Sequence, residues 1–221
     1  MQDRLVWLLE HFELKATVFQ AGPLACEATY EAHPGLGYLH VLQDGRLRAC
    51  DPQSAVRVID EPSILLYMNP TSHRLIPEGD DVAMVCALFE FGLGTGNPLA
   101  SALPDVITIP LSNLSSLASI LNQLFSEAAE QHCGRQAILD RLMEVVLILI
   151  FRDLMDQNRL QVGILAGLAD PKLAKAINAL HADPNTNWTL NNLARTAGMS
   201  RARFAIRFRE IVGITPGAYL T

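Results

Sequence analysis

Residues 17–109 cannot be read with a helical period. Short apolar or alternating runs recur through them: "LACEATY", "GYLHVL", "RLRAC", "AVRVI", "ILLYM", "VAMVCALFEF" and "VITIP". Turn-forming stretches separate the runs: "HPGLG", "QDG", "DPQS", "DEPS", "NPTS", "PEGDD" and "GLGTGNP". Side chains alternate every two residues on a strand and every 3.6 on a helix. Many short runs between Gly, Pro, Asn and Asp clusters therefore specify an antiparallel sandwich or barrel. One break, "QDG" between "LHVL" and "RLRA", carries the Asp-Gly pair of a tight hairpin.

From about residue 111 the period changes. "LSNLSSLASILNQLFSEAAEQH" sets Leu114, Leu117, Ile120, Leu121 and Leu124 at helical spacing. Gly134 breaks the chain, and "RQAILDRLMEVVLILIFRDLMDQ" predicts a longer helix over 135–157. Its stripe of Leu139, Leu142, Met143, Val146, Leu149 and Ile150 is joined by a second of Val145, Ile148 and Phe151. A helix apolar on more than one side is central to its own domain or has two partners, such as the β-domain and the same helix of a second subunit. "GILAGLADP" (163–171) reads as a small-residue link. Asp170-Pro171 then opens a helix by N-cap and N1 chemistry, with Leu173, Ile177 and Leu180 on one side. The fold class is α+β: a β-barrel over 1–110, a helical hairpin over 111–165 and an all-α segment over 168–221.

Charge is distributed unevenly. The chain of 221 residues carries a formal charge of −6, yet residues 188–221 hold five arginines against Glu210 alone. That segment is +4 and the remainder −10, a basic block on an acidic body of the kind that meets an anionic partner such as nucleic acid. "MQDRLVWLLEHF" lacks the pattern of a signal peptide, and the longest apolar run, "VVLILIF" (145–151), is too short to span a bilayer. Cys26, Cys50, Cys86 and Cys133 show no CxxC spacing, so free thiols or metal ligands are expected rather than disulfides. The expectation is a cytoplasmic protein with no membrane association.

The last 34 residues, "WTLNNLARTAGMSRARFAIRFREIVGITPGAYLT", predict two short helices. Thr189 caps the first, and Leu190, Leu193, Ala194 and Ala197 give it an apolar face. Gly198 supplies a left-handed turn position. Ser200 caps the second helix, 201–212, which Phe204, Phe208 and Ile211 fix against the first. Such a pair joined by a short Gly-containing turn is a helix-turn-helix. The opposite face carries Arg201, Ala202, Ala205, Ile206 and Arg209. Arginines there suit phosphates, and small or apolar side chains suit thymine methyls.

"WTLNNLARTAGMS", "RFAIRF" and "VGITPGAYL" closely resemble the first half of the DNA-binding domain of AraC-family transcription regulators. "LHVLQDG", "NPTSHRL", "VCALFEFG", "NPLASALPD" and "AILDRLMEVVLILIFRDL" resemble, in order and spacing, the cupin-type regulatory domain of one AraC branch. The resemblance implies base-contacting positions at Ala202, Ala205 and Ile206, with Ser200, Arg201 and Arg209 toward the DNA backbone. Relatives often carry a polar or basic residue at the position of Ile206. An isoleucine cannot make the bidentate bonds that read guanine or adenine, so methyl contacts are what remains. The resemblance also implies a second helix-turn-helix beyond "GAYLT". Its absence reads as a truncation within the DNA-binding domain and predicts weak binding to double-stranded DNA, because fewer phosphates are contacted.

His40, His73 and Cys86 lie in strand-like runs of the barrel, and the resembled regulators carry His and Cys at these places. Two imidazoles and a thiolate suit zinc, with Cys26 as a fourth ligand and Glu27 and His33 as weaker candidates. The reading of the whole is a regulator, not an enzyme. A cupin-like domain senses an unidentified small-molecule effector or a metal, helices pair two subunits as a homodimer, and the helix-turn-helix contacts DNA. The alternatives are a metal-dependent cupin enzyme, though "LHVLQDGR" offers His40 alone rather than H-x-H, or a sensor and dimerisation module only.

Overall fold

The computed structural model describes residues 5, 9, 14–52, 56–90, 104–157 and 162–220. These fall into two compact units, one within 13–150 and one carrying 151–220. Among the described residues no helix is long and apolar enough to cross a membrane.

Among the described residues the first unit holds nine strands: β1 (Lys15–Pro23), β2 (Ala28–Tyr30), β3 (Leu36–Asp44), β4 (Leu47–Cys50), β5 (Arg57–Ile59), β6 (Ser63–Tyr67), β7 (His73–Pro77), β8 (Ala83–Glu90) and β9 (Val106–Pro110). They form two antiparallel sheets, ordered β1-β8-β3-β6-β9 and β2-β7-β4-β5. Tyr38, Leu42, Leu65, Tyr67, Met84 and Cys86 of the larger sheet share one core with Tyr30, Leu47, Ala49, Ile59 and Leu75 of the smaller. Leu39, Val41, Ile64 and Leu66 point to the other side of the larger sheet and are also fully buried. Burial on both sides explains why β6, "SILLY", is buried throughout and does not alternate.

The Asp-Gly turn does not close the expected hairpin. β3 pairs with β6 and β8, whereas β4 pairs with β5 and β7. A register shift between Leu42 and Asp44 precedes the turn, and Gly45 follows at φ 84°. The chain thus leaves one sheet and enters the other. A side chain at position 45 would also come within 2.7 Å of the Val82 backbone. The core pull on Leu47 and Ala49, both fully buried from the second sheet, outweighs the local preference to fold back.

Two strands depart from the sequence reading in extent. "LACEATY" contributes only β2, and β1 precedes the first run singled out. The expected turn "GLGTGNP", most of "NPLASALPD" and part of "DPQS" lie outside the described residues.

Leu111–Asn113 and Ser115–Leu117 form 3₁₀ turns before helix α1 (Ala118–Ala129). Leu114, Leu117, Leu121 and Leu124 bury as their spacing predicts, with Ile120 half-buried. Helix α2 (Arg135–Asp156) has the expected span. It buries Leu139, Met143, Val146 and Ile150, and also Phe151 of the second stripe, while Ile138 and Val145 stay 40% and 37% exposed. Near its N-terminus it closes the open edge of β1. Asp140 Oδ1 accepts from Val18 N–H at 2.7 Å, Glu144 Oε1 from Ala16 N–H at 3.4 Å, and Gln136 Nε2 donates to Val18 O at 2.7 Å. An otherwise unpaired strand edge is thereby satisfied by side chains.

The second unit contains α3 (Ile164–Ala169), α4 (Leu173–Ala182), α5 (Leu190–Thr196), α6 (Arg201–Val212) and α7 (Pro216–Tyr219). The segment read as a link is therefore a helix. Ile164, Leu165, Ala166, Gly167 and Leu168 are all buried, so tertiary contact supports a turn that glycine-rich local sequence does not. Leu173 and Ile177 of α4 bury as expected, and Leu180 is half-buried. A side chain at Gly167 would come within 2.8 Å of Ile177 and 2.9 Å of Val212.

Candidate nucleic-acid interface and the interior of the β-unit

The terminal pair of helices is built by local chemistry. Thr189 Oγ1 accepts from Asn192 N–H at 3.2 Å and opens α5. Gly198, at φ 63°, closes it, with Met199 N–H reaching back to Ala194 O at 2.9 Å. Ser200 Oγ accepts from Arg203 N–H at 3.4 Å and opens α6, which ends at Gly213, φ 88°. Phe204 and Phe208 are 0% and 2% exposed with ring centroids 5.5 Å apart, and Ile211 is half-buried. Phe208 meets Tyr219 of α7 edge-on at 5.5 Å, and Tyr219 Oη shares a 2.7 Å hydrogen bond with His181 Nε2 of α4. Burial raises the Tyr219 phenol above its ordinary range.

With that side anchored, the opposite side is free. Ser200, Arg201, Ala202 and Arg209 are exposed, Ala205 is half-buried, and Ile206 is 60% exposed. Among the described residues Arg201, Arg203 and Arg209 have no ion-pair partner, whereas Arg207 does. Its Nε and Nη2 donate to Asp170 Oδ2 at 2.7 and 2.5 Å. The other oxygen, Asp170 Oδ1, accepts from Lys172 N–H and Leu173 N–H at 2.8 and 3.0 Å. One carboxylate thus caps α4, as expected of Asp170, and straps α6 to it. Burial alone would raise the Asp170 carboxyl, but the Leu173 N–H and the Arg207 guanidinium outweigh it and hold it below the ordinary range.

Inside the sandwich, β3 and β7 bring His40 and His73 together, Nε2 to Nε2 at 2.8 Å. Thr71 O lies 2.9 Å from His73 Nδ1 and can only accept, so Nδ1 carries the proton. With His73 neutral, its Nε2 accepts and His40 Nε2–H donates. His40 Nδ1 is then a bare lone pair, fully buried and without a partner. Burial lowers both imidazoles, His40 well below the usual value, and each is surrounded by rings. Tyr67 stacks on His73 at 3.8 Å, Tyr38 on His40 at 5.8 Å, and Tyr30 lies within 4.9 Å of both. Cys86 stands opposite His40 in the β3–β8 ladder. Its Sγ is 3.9 Å from Tyr30 Oη, and burial pushes the thiol up to about 12.

The chain is similar to known families over nearly all its length. Residues 3–156 match the family described as Cupin, and residues 180–221 match the bacterial regulatory helix-turn-helix proteins of the AraC family. The chain belongs to the cupin family over residues 3–156 and carries an AraC-type helix-turn-helix over 180–221. A putative AraC-like transcription regulator of Streptomyces lividans is 33% identical over 147 residues, 65% of this chain and 48% of that protein. The RCS-specific activator RclR of Escherichia coli is 27% identical over 187 residues, 82% of this chain and 66% of that one. Fatty-acid-bound ToxT of Vibrio cholerae aligns over 94% of each chain at 12% identity with a TM-score of 0.38. The chain spans about half the length of the first curated relatives it matches.

In this chain the residues expected to face DNA lie on one accessible side of α6. The expected metal set assembles only in part. His40 and His73 converge and Cys86 stands beside His40 on the same face of the larger sheet, whereas Cys26 is exposed. His33 and Glu27 are exposed as well, and Glu27 pairs with Arg74 at 2.8 Å. Among the described residues no group of three or more His, Cys, Asp and Glu side chains is placed to hold a metal ion. The reason is local: the two imidazoles bond each other, and the protonated thiol lies against Tyr30. Sequence reading missed the tyrosines. Tyr38 precedes His40 by two residues, hence shares its face, and Tyr67 stands directly opposite Tyr38. The Asp170–Arg207 strap carried no sequence signal, because 37 residues separate its ends.

Proposed function

We propose that this chain carries the sensing unit and a DNA-contacting helix-turn-helix of a cytoplasmic transcription regulator. In this reading the cupin unit binds a small effector, and Ser200, Arg201, Ala202, Ala205, Ile206 and Arg209 face a duplex groove. The observation that carries it is the two-sidedness of α6. Phe204 and Phe208 are buried, while Arg201 and Arg209 flank an exposed apolar strip without ion-pair partners among the described residues. Arginines so placed release counterions from phosphates, and each contact steepens the salt dependence of binding. In a mobility-shift assay the chain forms a complex at low salt. Arg201→Ala and Arg209→Ala each weaken it and reduce the salt slope by about one. An unchanged slope in both variants refutes the placement. The effector acts by binding one arrangement of the DNA-contacting parts more tightly than another.

The attached helix-turn-helix supports regulation over catalysis by the cupin unit. A homodimer is supported by the exposed Ile138 and Val145 of α2, and light scattering at twice 24.2 kDa tests it. The narrower reading of the sensor as a zinc site rests on the 2.8 Å meeting of His40 and His73. Zinc ligands of this kind lie about 2.0–2.1 Å from the metal, so the two nitrogens would part slightly to hold it. Metal analysis of fresh protein beside His40→Ala decides it: zinc lost in the variant supports the site, and none in either retires it.

A further inference from the structure

Resting on that reading, we propose that α6 recognises the 5-methyl group of a pyrimidine in the major groove. Ile206 is the specificity-determining residue, and thymine and 5-methylcytosine are read alike. The strip that the helix presents between its arginines has no hydrogen-bonding side chain. Ala202, Ala205 and Ile206 lie at i, i+3 and i+4, and Arg209 completes the row at i+7. Ile206 is 60% exposed, the most exposed large apolar side chain among the described residues. A β-branched side chain held out in water on a rigid helix is unfavourable in the free protein, and α6 is rigidly held. It is capped at Ser200 and Gly213 and anchored by Phe204 and Phe208. The face therefore has a fixed shape and a definite apolar centre.

The charge around it specifies what covers that centre. Arg201, Arg203 and Arg209 remain unpaired among the described residues, and Arg207 is withdrawn to Asp170. An apolar strip bordered by guanidinium groups complements a groove whose walls are phosphates and whose floor offers methyl groups. On that floor guanine, adenine and unmethylated cytosine present acceptors and donors that Ala and Ile cannot satisfy, and covering them leaves polar groups desolvated. A 5-methyl group is the one apolar feature of the major groove, and it projects identically from thymine and 5-methylcytosine. Recognition by α6 thus follows the methyl, not the base pair.

The test uses the whole chain and four 24-base-pair duplexes at low salt, with binding read by fluorescence anisotropy. Alternating dA·dT is set against alternating dA·dU, and alternating dG·dC against its 5-methylcytosine form. Covering one methyl is expected to tighten binding about fourfold. Both methylated duplexes bind that much more tightly than their unmethylated partners, and Ile206→Ala and Ile206→Gln bring both ratios to one. Because Ile206 lies on the surface, these variants keep the helix content and the salt slope of the parent. Equal binding of methylated and unmethylated duplexes by the parent overturns the proposal. So does a methyl preference that survives undiminished in Ile206→Ala and Ile206→Gln, since it then arises from the alanines or from DNA shape. A preference for thymine without one for 5-methylcytosine overturns the shared-methyl reading. Failure to bind any duplex refutes the DNA-contacting reading itself.

Discussion

Replacing Asp170 tests whether one carboxylate organises the helical unit. Asp170 is 8% exposed, and its two oxygens serve different elements. Oδ1 caps α4 through Lys172 and Leu173, and Oδ2 receives the Arg207 guanidinium. Loss of an N-cap costs about 1 kcal/mol. A charge-assisted bond is worth about 1.5–3 kcal/mol when shielded, but the Arg207 side chain is 44% exposed, and screening brings its share to about 1 kcal/mol. Asp170→Ala loses both, about 2 kcal/mol, and Asp170→Asn keeps the cap oxygen and loses about 1 kcal/mol. Hydrogen exchange of the α4 and α6 amides reads these losses as local opening. Opening is expected to rise about 30-fold in the alanine variant and about fivefold in the asparagine variant. The Asp170 carboxyl is held below its ordinary range when folded, because the bonds from Leu173 and Arg207 outweigh burial. Its stabilisation is therefore complete above the unfolded value and is lost as pH falls through the folded one. Unchanged exchange in both helices refutes the reasoning. Equal effects of the two variants refute the division between cap and strap.

Three further outcomes are expected. In metal-free protein the β-unit weakens on acidification, because His40 and His73 resist protonation when folded and titrate near 6.5 when unfolded. Stability is full above that value and falls below it by up to about 1.4 kcal/mol per pH unit for each histidine, so a urea midpoint constant from pH 7.5 to 5.5 contradicts the buried pair. Phe204→Ala removes the fully buried anchor of α6 and should cost about 3–5 kcal/mol by denaturant unfolding, with loss of helical signal. Gly37→Ala forces a methyl to within 2.2 Å of Phe89 Cζ and 2.6 Å of Tyr67 O, and the β-unit should lose at least about 1–3 kcal/mol in a thermal melt.

The terminal helices were legible because their determinants are neighbours in sequence. Thr189, Gly198, Ser200, Phe204 and Phe208 each act within one or two turns, so caps, turn and anchoring face follow from spacing alone. The period change near residue 111 separated sheet from helix for the same reason. His40, His73 and Cys86 were found as residue types, but their relation was not. Only the pairing of β3 with β8, and the facing of one sheet against another, sets His40 beside Cys86 and against His73. The same closure excludes Cys26, admits three tyrosines, and turns "QDG" from a hairpin into a passage between sheets. Local backbone preference decides between alternatives that differ by about 1 kcal/mol, whereas burial of side chains such as Leu47 and Ala49 is worth more and depends on partners far along the chain. Sequence by itself therefore determined the change from strand to helix, the terminal helices with their caps, and the outward face of α6. The tertiary structure decided which buried polar groups meet, and which arginine is held by an aspartate instead of being left for phosphate.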